Sequence, residues 1–269
     1  MDVEAYAKIN FGLRVTAKRD DGFHDIETIF QTISLHDTLS FTPDAALTLT
    51  CDAPEIPVDE TNLVLRAARA AGAPPVAIAL RKRIPAGGGL GGGSSDAAAT
   101  LRALGSADPR IALALGSDVP FFLLGGTAYA TGRGERLVPL PRLAGIPLLL
   151  VFPPERVGTA RAYAMLRRFS PPLGLERVRA MVGDDLLAHA TELVNDFEEP
   201  IFAALPHLAA IKTRLYELGA RWAGMSGSGS TIVGAFRDAR GRDEALAEVA
   251  PASRRPSRRR LDAVAAETR

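Results

Sequence analysis

A run of glycines is the strongest chemical feature of the sequence. Six of the seven positions 87–93 are glycine, and Ser94 and Ser95 follow them directly. Glycine lets the backbone adopt positive φ values, so that successive N–H groups can converge on an anion. A helix that begins at Ser94 or Ser95 would add unpaired N–H groups and the positive end of its dipole. The segment therefore predicts a phosphate-binding loop between a strand and a helix.

The glycine pattern fits some phosphate-binding classes poorly. A P-loop ends in a lysine and a hydroxyl residue, and no lysine follows these glycines. Gly87, Gly89 and Gly92 satisfy the spacing of a dinucleotide-binding loop, but this spacing is a weak signal in a run where almost every residue is glycine, and that fold also requires an acid at the end of the next strand. A protein-kinase loop would need an H-R-D motif, which the sequence lacks. A flexible glycine linker is the structural alternative.

Two charged side chains stand in otherwise apolar segments. Asp118 precedes the run Val-Pro-Phe-Phe, so it is either the first residue of a helix or a functional carboxylate. Lys8 shares one face of an alternating strand with Asn10, where a solvated lysine is the ordinary interpretation. Phosphoryl transfer to an alcohol needs a base for the hydroxyl proton and positive charge on the moving group. A carboxylate and a lysine suit that chemistry.

Five segments, in the same order along the chain, resemble the GHMP kinases, the superfamily of galactokinase, homoserine kinase and mevalonate kinase. They are AKINFGLRV with DGFHDIETIFQTISLHD after it, PAGGGLGGGSSD, GSDVPFFLLGG, NDFEEP and GMSGSGST, at residues 7–15 and 21–37, 85–96, 116–126, 195–200 and 224–231. The GGGLGGGSS form is similar to the branch of the non-mevalonate isoprenoid pathway, which phosphorylates the 2-hydroxyl of a cytidyl-diphosphate-linked methylerythritol. The resemblance therefore implies an ATP-dependent small-molecule kinase.

The resemblance implies catalytic and ATP-binding roles for residues at matching positions. Asp118 would be the base for the acceptor hydroxyl and Lys8 its charge partner, since a nearby ammonium keeps a carboxylate ionised and stabilises the transferred group. Asn62 would lie near the adenine, although a first-turn helix residue is its alternative. The loop residues implied to bind ATP are Pro85, Ala86, Gly87, Gly88, Gly89, Leu90, Gly91, Gly92, Gly93, Ser94 and Ser95. Mg²⁺ is implied by ATP alone, because the four histidines lack metal-ligand spacing and no protein metal site is predicted.

A second group of residues is implied to bind the acceptor. Phe23 stands where the family has a tyrosine and would stack on the cytosine, while His24 would hydrogen-bond its edge. A capping or surface histidine in a turn is the alternative for His24. Asn10 would also contact the acceptor. Thr159 and Tyr163 would form a second clamp, with the threonine near the diphosphate and the aromatic ring on the other face of the cytosine.

The elements that must position these residues mix strands and helices without regular βαβ alternation, which favours an α+β fold. The patterns predict a strand over residues 3–15, a helix capped by Thr61 and ending at Gly72, a strand over 76–80, a helix from Ser94 or Ser95 to Gly105, a helix from Asp108 to Gly116, a strand over 145–153, a helix capped by Thr159 and ending near Phe169, a helix over 207–218, and two strands joined by a Gly/Ser turn over 221–236. Cys51 is expected to be a small core residue.

The length of 269 residues allows one large domain or two modest ones. The composition shifts near residues 140–155, which predicts an N-terminal domain over residues 1–150 and a C-terminal domain over residues 151–269. The resemblance implies a two-domain GHMP kinase fold. Its N-terminal domain is related to domain 2 of ribosomal protein S5, and its C-terminal domain is ferredoxin-like.

Composition and charge limit the partners. Hydrophobic residues make up 47% and charged residues 23% of the chain, as in globular proteins, and a single cysteine excludes a disulfide framework. The net charge of +1 predicts no general attraction to nucleic acid or acidic membranes. The absence of a long apolar run and of a signal-peptide pattern predicts a cytoplasmic protein. We expect a monomer or weak homodimer, and a solvated tail around the five arginines of residues 254–260.

Overall fold

A computed structural model describes residues 1–249 and 262–269 and confirms the α+β fold class. Its strands are β1 (Asp2–Lys18), β2 (His24–Pro43), β3 (Thr48–Cys51), β4 (Val76–Arg81), β5 (Thr127–Gly132), β6 (Arg136–Pro139), β7 (Pro147–Phe152), β8 (Trp222–Met225), β9 (Ile232–Ala235) and β10 (Asp262–Glu267). Its α-helices are α1 (Leu63–Ala70), α2 (Gly92–Ala103), α3 (Pro109–Leu115), α4 (Val119–Leu124), α5 (Thr159–Met165), α6 (Leu175–Gly183), α7 (Glu198–Ala204), α8 (Pro206–Glu217) and α9 (Ala239–Val249), with a 3₁₀ helix at Leu186–His189.

The described residues form two compact units that interleave along the sequence. The first unit consists of residues 1–8, 34–86 and 91–125, and the second of residues 9–33, 87–90 and the described residues from 126 onward. The interleaving arises because β1 and β2, with 17 and 20 residues, are long enough to contribute to both units. The predicted division at residue 150 therefore differs from the division into compact units. As a boundary between family domains it stays a prediction.

The first unit is a sheet edge covered by helices. β4 pairs antiparallel with residues 38–43 of β2 and parallel with β3. The predicted alternation in β4 is confirmed, because Val76, Ile78 and Leu80 are buried in one core cluster with residues of α1 and α2. Cys51 is half-buried against this cluster, so it packs at the margin of the core.

The second unit contains two sets of paired strands. β5 pairs antiparallel with residues 26–31 of β2 and with β6. The other sheet has the order β10-β7-β9-β8, and the three pairings within it are antiparallel. The apolar centre of β7, from Leu148 to Val151, is completely buried, which explains why its sequence is a continuous hydrophobic run. The helix α9 and the strand β10 were not predicted from the sequence.

The predicted boundaries of three helices are wrong. The cap of α1 is Asn62, whose Oδ1 accepts a hydrogen bond from the Val64 N–H at 2.9 Å, whereas the Thr61 hydroxyl donates to Asp59. The helix α2 begins at Gly92, since glycine at position 91 supplies the left-handed residue that turns the chain into the helix. The helix α5 begins at Thr159, with Gly158 at its cap position, so Thr159 is not the cap. The helix ends at Met165 and does not extend to Phe169.

Two predictions concern membranes and the tail. None of the helices in the described ranges combines the length and apolar character that crossing a membrane requires. The arginine-rich segment 254–260, expected to be a solvated tail, lies outside the described residues.

Candidate active site

The structure brings Lys8 and Asp118 together in the first unit. The distance from Lys8 Nζ to Asp118 Oδ2 is 3.6 Å. Asp118 occupies the cap position of α4, as the helix-start interpretation expected, but its carboxylate makes no capping hydrogen bond. The side chain instead faces the ammonium group and is 33% exposed, so a hydroxyl group can reach it from solvent. A partly exposed carboxylate beside a cation is suited to accept a proton from a hydroxyl group.

Lys8 is buried because both faces of β1 are covered. Its residue exposure is 4%, so the interpretation as a solvated lysine is wrong. Burial lowers the pKa of Lys8, while the charge and hydrogen bonding of Asp118 act to raise it. Since burial strengthens electrostatic interactions, this ammonium group has a large effect on any negative charge that develops beside it.

The start of α2 lies next to Lys8 in the same unit. Gly91 has a φ of 71°, and a Cβ atom built on it would lie 2.6 Å from Cζ of Phe122 and 3.4 Å from Cε of Lys8. The first turn of α2 has no capping side chain among the described residues. Its N–H groups therefore remain to bind an anion, and the helix dipole adds to the positive charge of Lys8. This arrangement fits a phosphate group, as the glycine run predicted.

Two of the three other predicted ATP residues in the first unit, Ser95 and Asn62, have hydrogen-bond partners there. The buried hydroxyl of Ser95 donates to the Tyr6 carbonyl at 2.6 Å and ties α2 to β1. Asn62 uses its carbonyl oxygen to cap α1 and its amide nitrogen to donate to the Pro57 carbonyl at 2.6 Å. Ser94 is half-buried in the first turn of α2. The structure thus gives Ser95 and Asn62 structural roles, and their contacts with a nucleotide stay predictions.

Residues 87–90 of the glycine run belong to the second unit, where they pack against the turn between β8 and β9. The Ser226 hydroxyl donates to the Gly89 carbonyl at 2.9 Å, and the Thr231 N–H donates to the Gly88 carbonyl at 3.3 Å. A Cβ atom on Gly89 would lie 2.0 Å from the Ser226 carbonyl oxygen. The close backbone approach that requires glycine at position 89 is therefore to the protein itself, and the contact of Gly89 with ATP stays a prediction.

Asn195, from the NDFEEP segment, holds this turn. Its amide nitrogen donates to the carbonyls of Met225 and Gly227 at 2.7 and 2.8 Å, and its oxygen accepts from the Phe197 N–H at 3.0 Å. The sequence motif identified the segment but not this role. The three motifs that contribute to the second unit here, the glycine run, NDFEEP and GMSGSGST, thus form one hydrogen-bonded group.

Two of the predicted acceptor residues, His24 and Tyr163, lie in a cluster of aromatic rings in the second unit, which we call the aromatic group. The rings of His24 and Tyr163 are stacked, with centroids 4.6 Å apart and planes 18° apart. Phe169 lies 6.0 Å from His24 at a tilt. Burial, together with the charge of Lys18, lowers the pKa of His24, so its imidazole is neutral at pH 7. A neutral imidazole has one donor and one acceptor nitrogen, as recognition of a base edge requires.

Phe23, which precedes His24 in the sequence, has an exposed ring. It is 50% exposed, and the Arg133 guanidinium lies 4.5 Å from the centroid of its ring. A ring with a cation on one face retains its second face for stacking. Arg133 was not predicted, because only its position in the turn between β5 and β6 brings it to Phe23.

Asn10 and Thr159 also lie in the second unit. The Asn10 amide donates to the Thr28 hydroxyl at 2.9 Å, and the side chain is completely buried. The Thr159 hydroxyl lies 3.3 Å from the Ser228 hydroxyl. Thr159 is therefore next to the turn that contacts the glycine run, whereas the buried Asn10 is held by its own strand pair. Their contacts with the acceptor stay predictions.

The described residues contain no group of three His, Cys, Asp or Glu side chains that could hold a metal ion. Mg²⁺ keeps several of its ligands as water and is bound largely through substrate phosphates in kinases. The Mg²⁺ that the resemblance implies through ATP stays a prediction.

Two family models match the chain. The GHMP kinases N terminal domain matches residues 62–126, and the GHMP kinases C terminal domain matches residues 177–253. The first range includes Asn62, the glycine run and Asp118. The second includes Asn195 and the turn between β8 and β9.

Curated proteins and solved structures are similar over nearly the whole chain. The 4-diphosphocytidyl-2-C-methyl-D-erythritol kinase of Chlorobium luteolum is 43% identical over 262 residues, covering 89% of this chain and 90% of that protein. The kinase of the same name from Solibacter usitatus is 46% identical over 260 residues, with 88% and 81% covered. A crystal structure of 4-(cytidine 5'-diphospho)-2C-methyl-D-erythritol kinase has a TM-score of 0.79 at 37% identity and covers 100% and 99% of the two chains. A homoserine kinase from Cytophaga hutchinsonii, at 18% identity and a TM-score of 0.69 over 100% and 94% of the chains, has the same fold.

Proposed function

Because the chain belongs to the GHMP kinases, and within them to the 4-diphosphocytidyl-2-C-methyl-D-erythritol kinases, we propose that it transfers the γ-phosphoryl group of ATP to the 2-hydroxyl group of 4-diphosphocytidyl-2-C-methyl-D-erythritol. This is the kinase step of the non-mevalonate isoprenoid precursor pathway. The observation that carries the chemistry is the ion pair of Lys8 and Asp118 beside the uncapped start of α2.

Asp118 acts as the base in the proposed reaction. Its carboxylate accepts the proton of the acceptor hydroxyl while the hydroxyl oxygen forms a bond to the γ-phosphorus. The bond between the γ-phosphorus and the bridging oxygen breaks, and its electron pair leaves with ADP. The ammonium group of Lys8 keeps the carboxylate ionised before transfer and stabilises the negative charge of the transferred group.

The first turn of α2 binds the phosphates in this proposal. Its N–H groups and dipole supply positive potential, and the glycines of the loop let the backbone approach the oxygens. Ser94 is the hydroxyl residue at this turn that we assign to the metal–phosphate complex, since the Ser95 hydroxyl is engaged by Tyr6. Bound Mg²⁺ neutralises phosphate charge. The remaining loop residues and Asn62 keep their predicted contacts with ATP.

The cytidine end of the acceptor is recognised by the aromatic group of the second unit. Phe23 stacks on the cytosine through the face opposite Arg133, and His24 hydrogen-bonds the edge of the base. The Tyr163 ring, which stacks on His24, keeps its predicted contact with the other face of the cytosine, and Thr159 binds near the diphosphate. We also propose that the protein is a cytoplasmic monomer or weak homodimer that acts on small molecules. The net charge of +1 supports the further proposal that it does not bind nucleic acid.

An acceptor panel tests the proposed function. The protein is incubated with Mg²⁺–ATP and, in parallel, with the cytidyl methylerythritol substrate, homoserine or mevalonate, and ADP release is measured for each. We expect turnover with the cytidyl substrate and none above background with the others. Faster turnover of homoserine or mevalonate would overturn the proposed acceptor and leave a different GHMP kinase activity.

A further inference from the structure

A buried ion cluster of the first unit has no part in the chemistry proposed above. The ammonium group of Lys82 donates to Oδ2 of Asp37 at 2.5 Å and to Oδ2 of Asp96 at 2.8 Å. The three side chains are 8%, 0% and 3% exposed. A buried cluster of this kind gains little stability over apolar packing, because each charge loses its hydration. Stability alone therefore does not explain why these three charged side chains are buried together.

One side of the cluster holds the segment that leads into the glycine run. Oδ1 of Asp37 accepts hydrogen bonds from the N–H groups of Arg83 and Ile84 at 2.5 and 2.8 Å. Lys82 begins this segment, and Pro85 follows it at the start of the loop. The carboxylate of Asp37 thus fixes both the backbone and the first side chain of the upstream end.

The other side of the cluster holds the helix that follows the glycine run. Asp96 lies in α2, which begins at Gly92. A Cβ atom on Gly92 would lie 3.2 Å from Lys82 Nζ and 3.0 Å from Cγ2 of Ile84. The upstream segment and the start of α2 are therefore packed directly on each other. The ammonium group of Lys82 joins the two ends of the loop through Asp37 and Asp96.

We propose that Lys82, Asp37 and Asp96 are positioning residues that clamp both ends of the glycine-rich loop, so that the loop ends are ordered before ATP binds. A chain segment rich in glycine loses more conformational entropy on ordering than any other. Ordering that is completed during folding does not reduce the affinity for the ligand. The inference rests on the proposed function only in assigning ATP to this loop, and it does not depend on the acceptor.

The energetics of Asp96 support a role beyond stability. Its Oδ1 atom is buried and has no hydrogen-bond partner within the described part of the chain. A buried oxygen without a partner is destabilising, because it loses its hydration and gains no hydrogen bond in return. Burial alone would lower the pKa of Lys82, but Asp96 and Asp37 outweigh it and raise that pKa, so the cation persists. Alanine, a good helix former, would avoid the cost at position 96 but would remove the connection to Lys82.

The substitution Asp96→Ala tests the clamp. It leaves Lys82 paired with Asp37, so that no buried cation loses all of its partners. We expect the Kd for ATP, measured by calorimetry without acceptor, to rise about tenfold, because binding must then order the loop ends. At saturating ATP, kcat should change by less than about twofold, and the KM for the acceptor should not change.

Two further variants separate the clamp from general effects. Asp96→Asn keeps an oxygen that can accept from Lys82, so its Kd for ATP should stay within about threefold of the unsubstituted protein. Glu60→Gln weakens the exposed ion pair with Arg69 in the same unit and should leave the Kd unchanged. Unchanged ATP affinity in folded Asp96→Ala would overturn the inference, as would an equal loss of affinity in Asp96→Asn.

Hydrogen exchange provides a readout that a purely stabilising role would not change. In folded Asp96→Ala, the amides of residues 86–95 should exchange faster, whereas those of β7 that can exchange should do so at the original rate. If Asp96→Ala does not fold, Lys82→Met at pH 6 takes its place, with the same expected results and the same contradicting ones. If the unsubstituted protein binds ATP but does not phosphorylate the cytidyl substrate, the proposed function is wrong. The clamp is still tested in that case, because its test measures only ATP binding and hydrogen exchange.

Discussion

Lys8 Nζ lies 3.6 Å from Asp118 Oδ2, although Asp118 stands at the first position of a helix that it does not cap. Asp108, at the start of α3, shows the usual alternative, because its carboxylate accepts from the Arg110 N–H at 2.8 Å. The two acids begin consecutive helices of one unit, yet one serves its own helix and the other faces a buried ammonium group. The difference supports the proposal that Asp118, and not Asp108, is the base.

Asp118→Asn should fold normally and lose turnover. The amide has the same size as the carboxylate but cannot accept the hydroxyl proton, so we expect kcat to fall by about 10²–10⁴-fold. Steady-state kinetics with the cytidyl substrate measures the loss. Asp108→Asn is the matched control, because asparagine caps helices as well as aspartate does, and it should retain full activity. Near-original kcat in folded Asp118→Asn would exclude this residue as the base.

Phe23→Ala and His24→Ala should weaken acceptor binding selectively. Losing the stacking contact costs about 1–3 kcal/mol, which should appear as a higher KM for the cytidyl substrate. His24→Ala should raise the same KM, because it leaves groups on the base edge unpaired. The KM for ATP should stay nearly constant in both variants. An increase in the KM for ATP instead would mean that the aromatic group binds the other nucleotide.

Gly89→Ala should destabilise the protein, because the new side chain would collide with the backbone of the turn between β8 and β9. The new Cβ would lie 2.0 Å from the Ser226 carbonyl oxygen, so we expect the free energy of unfolding to fall by about 3 kcal/mol. Gly87→Ala is the control, since Gly87 has a similar φ of 72° but a Cβ there meets only Cδ of Arg156 at 3.8 Å. That variant should lose about 1 kcal/mol, the cost of the left-handed conformation alone. Equal losses in urea unfolding would contradict the packing at Gly89.

Stability should depend on the protonation of Asp96. Burial raises the pKa of this carboxyl from 3.8 to about 7, with Lys82 opposing the shift and Asp37 adding to it. The folded protein therefore holds a proton that the unfolded chain releases above about pH 4. The contribution of this bound proton to the free energy of unfolding is complete below about pH 4 and is lost as the pH rises towards 7.

Asp96→Asn removes this titration and isolates its effect. Between pH 4.5 and pH 8, the unfolding free energy of the original protein should decrease by about 1 kcal/mol or more relative to that of the variant. Urea unfolding at several pH values measures both curves. Parallel curves would show that Asp96 titrates at its ordinary pKa in the folded protein.

The chemistry of the site was largely predictable because it lies in contiguous motifs. The glycine run, the acid before an apolar helix and the lysine on an alternating strand are all visible as local patterns. The family resemblance then supplied the pairing of Lys8 with Asp118. The sequence likewise predicts the α+β class, the alternating strands β1 and β4, the continuous apolar strand β7, and the helix α8.

The remaining features depend on tertiary contacts that no local pattern encodes. Lys82 meets Asp37 only because β2 and β4 pair antiparallel. In the sequence, the charged residues of this cluster look like ordinary surface charges. The strand β10 contains three alanines, which favour strands weakly, and it forms against the edge of β7 through a six-residue register. The requirement for glycine at position 89 likewise comes from the distant Ser226.

Phosphorus NMR of the complete reaction tests the central claim most directly. The protein and its Asp118→Asn variant are each incubated with Mg²⁺–ATP and the cytidyl methylerythritol substrate, and the phosphorus signals are followed in time. With the original protein, one equivalent of ADP should form for each new phosphate monoester, and that ester should couple to the 2-position of the methylerythritol. The variant should form neither product on the same timescale. Release of ADP without the ester, or an ester formed equally fast by the variant, would contradict base-assisted transfer through Asp118.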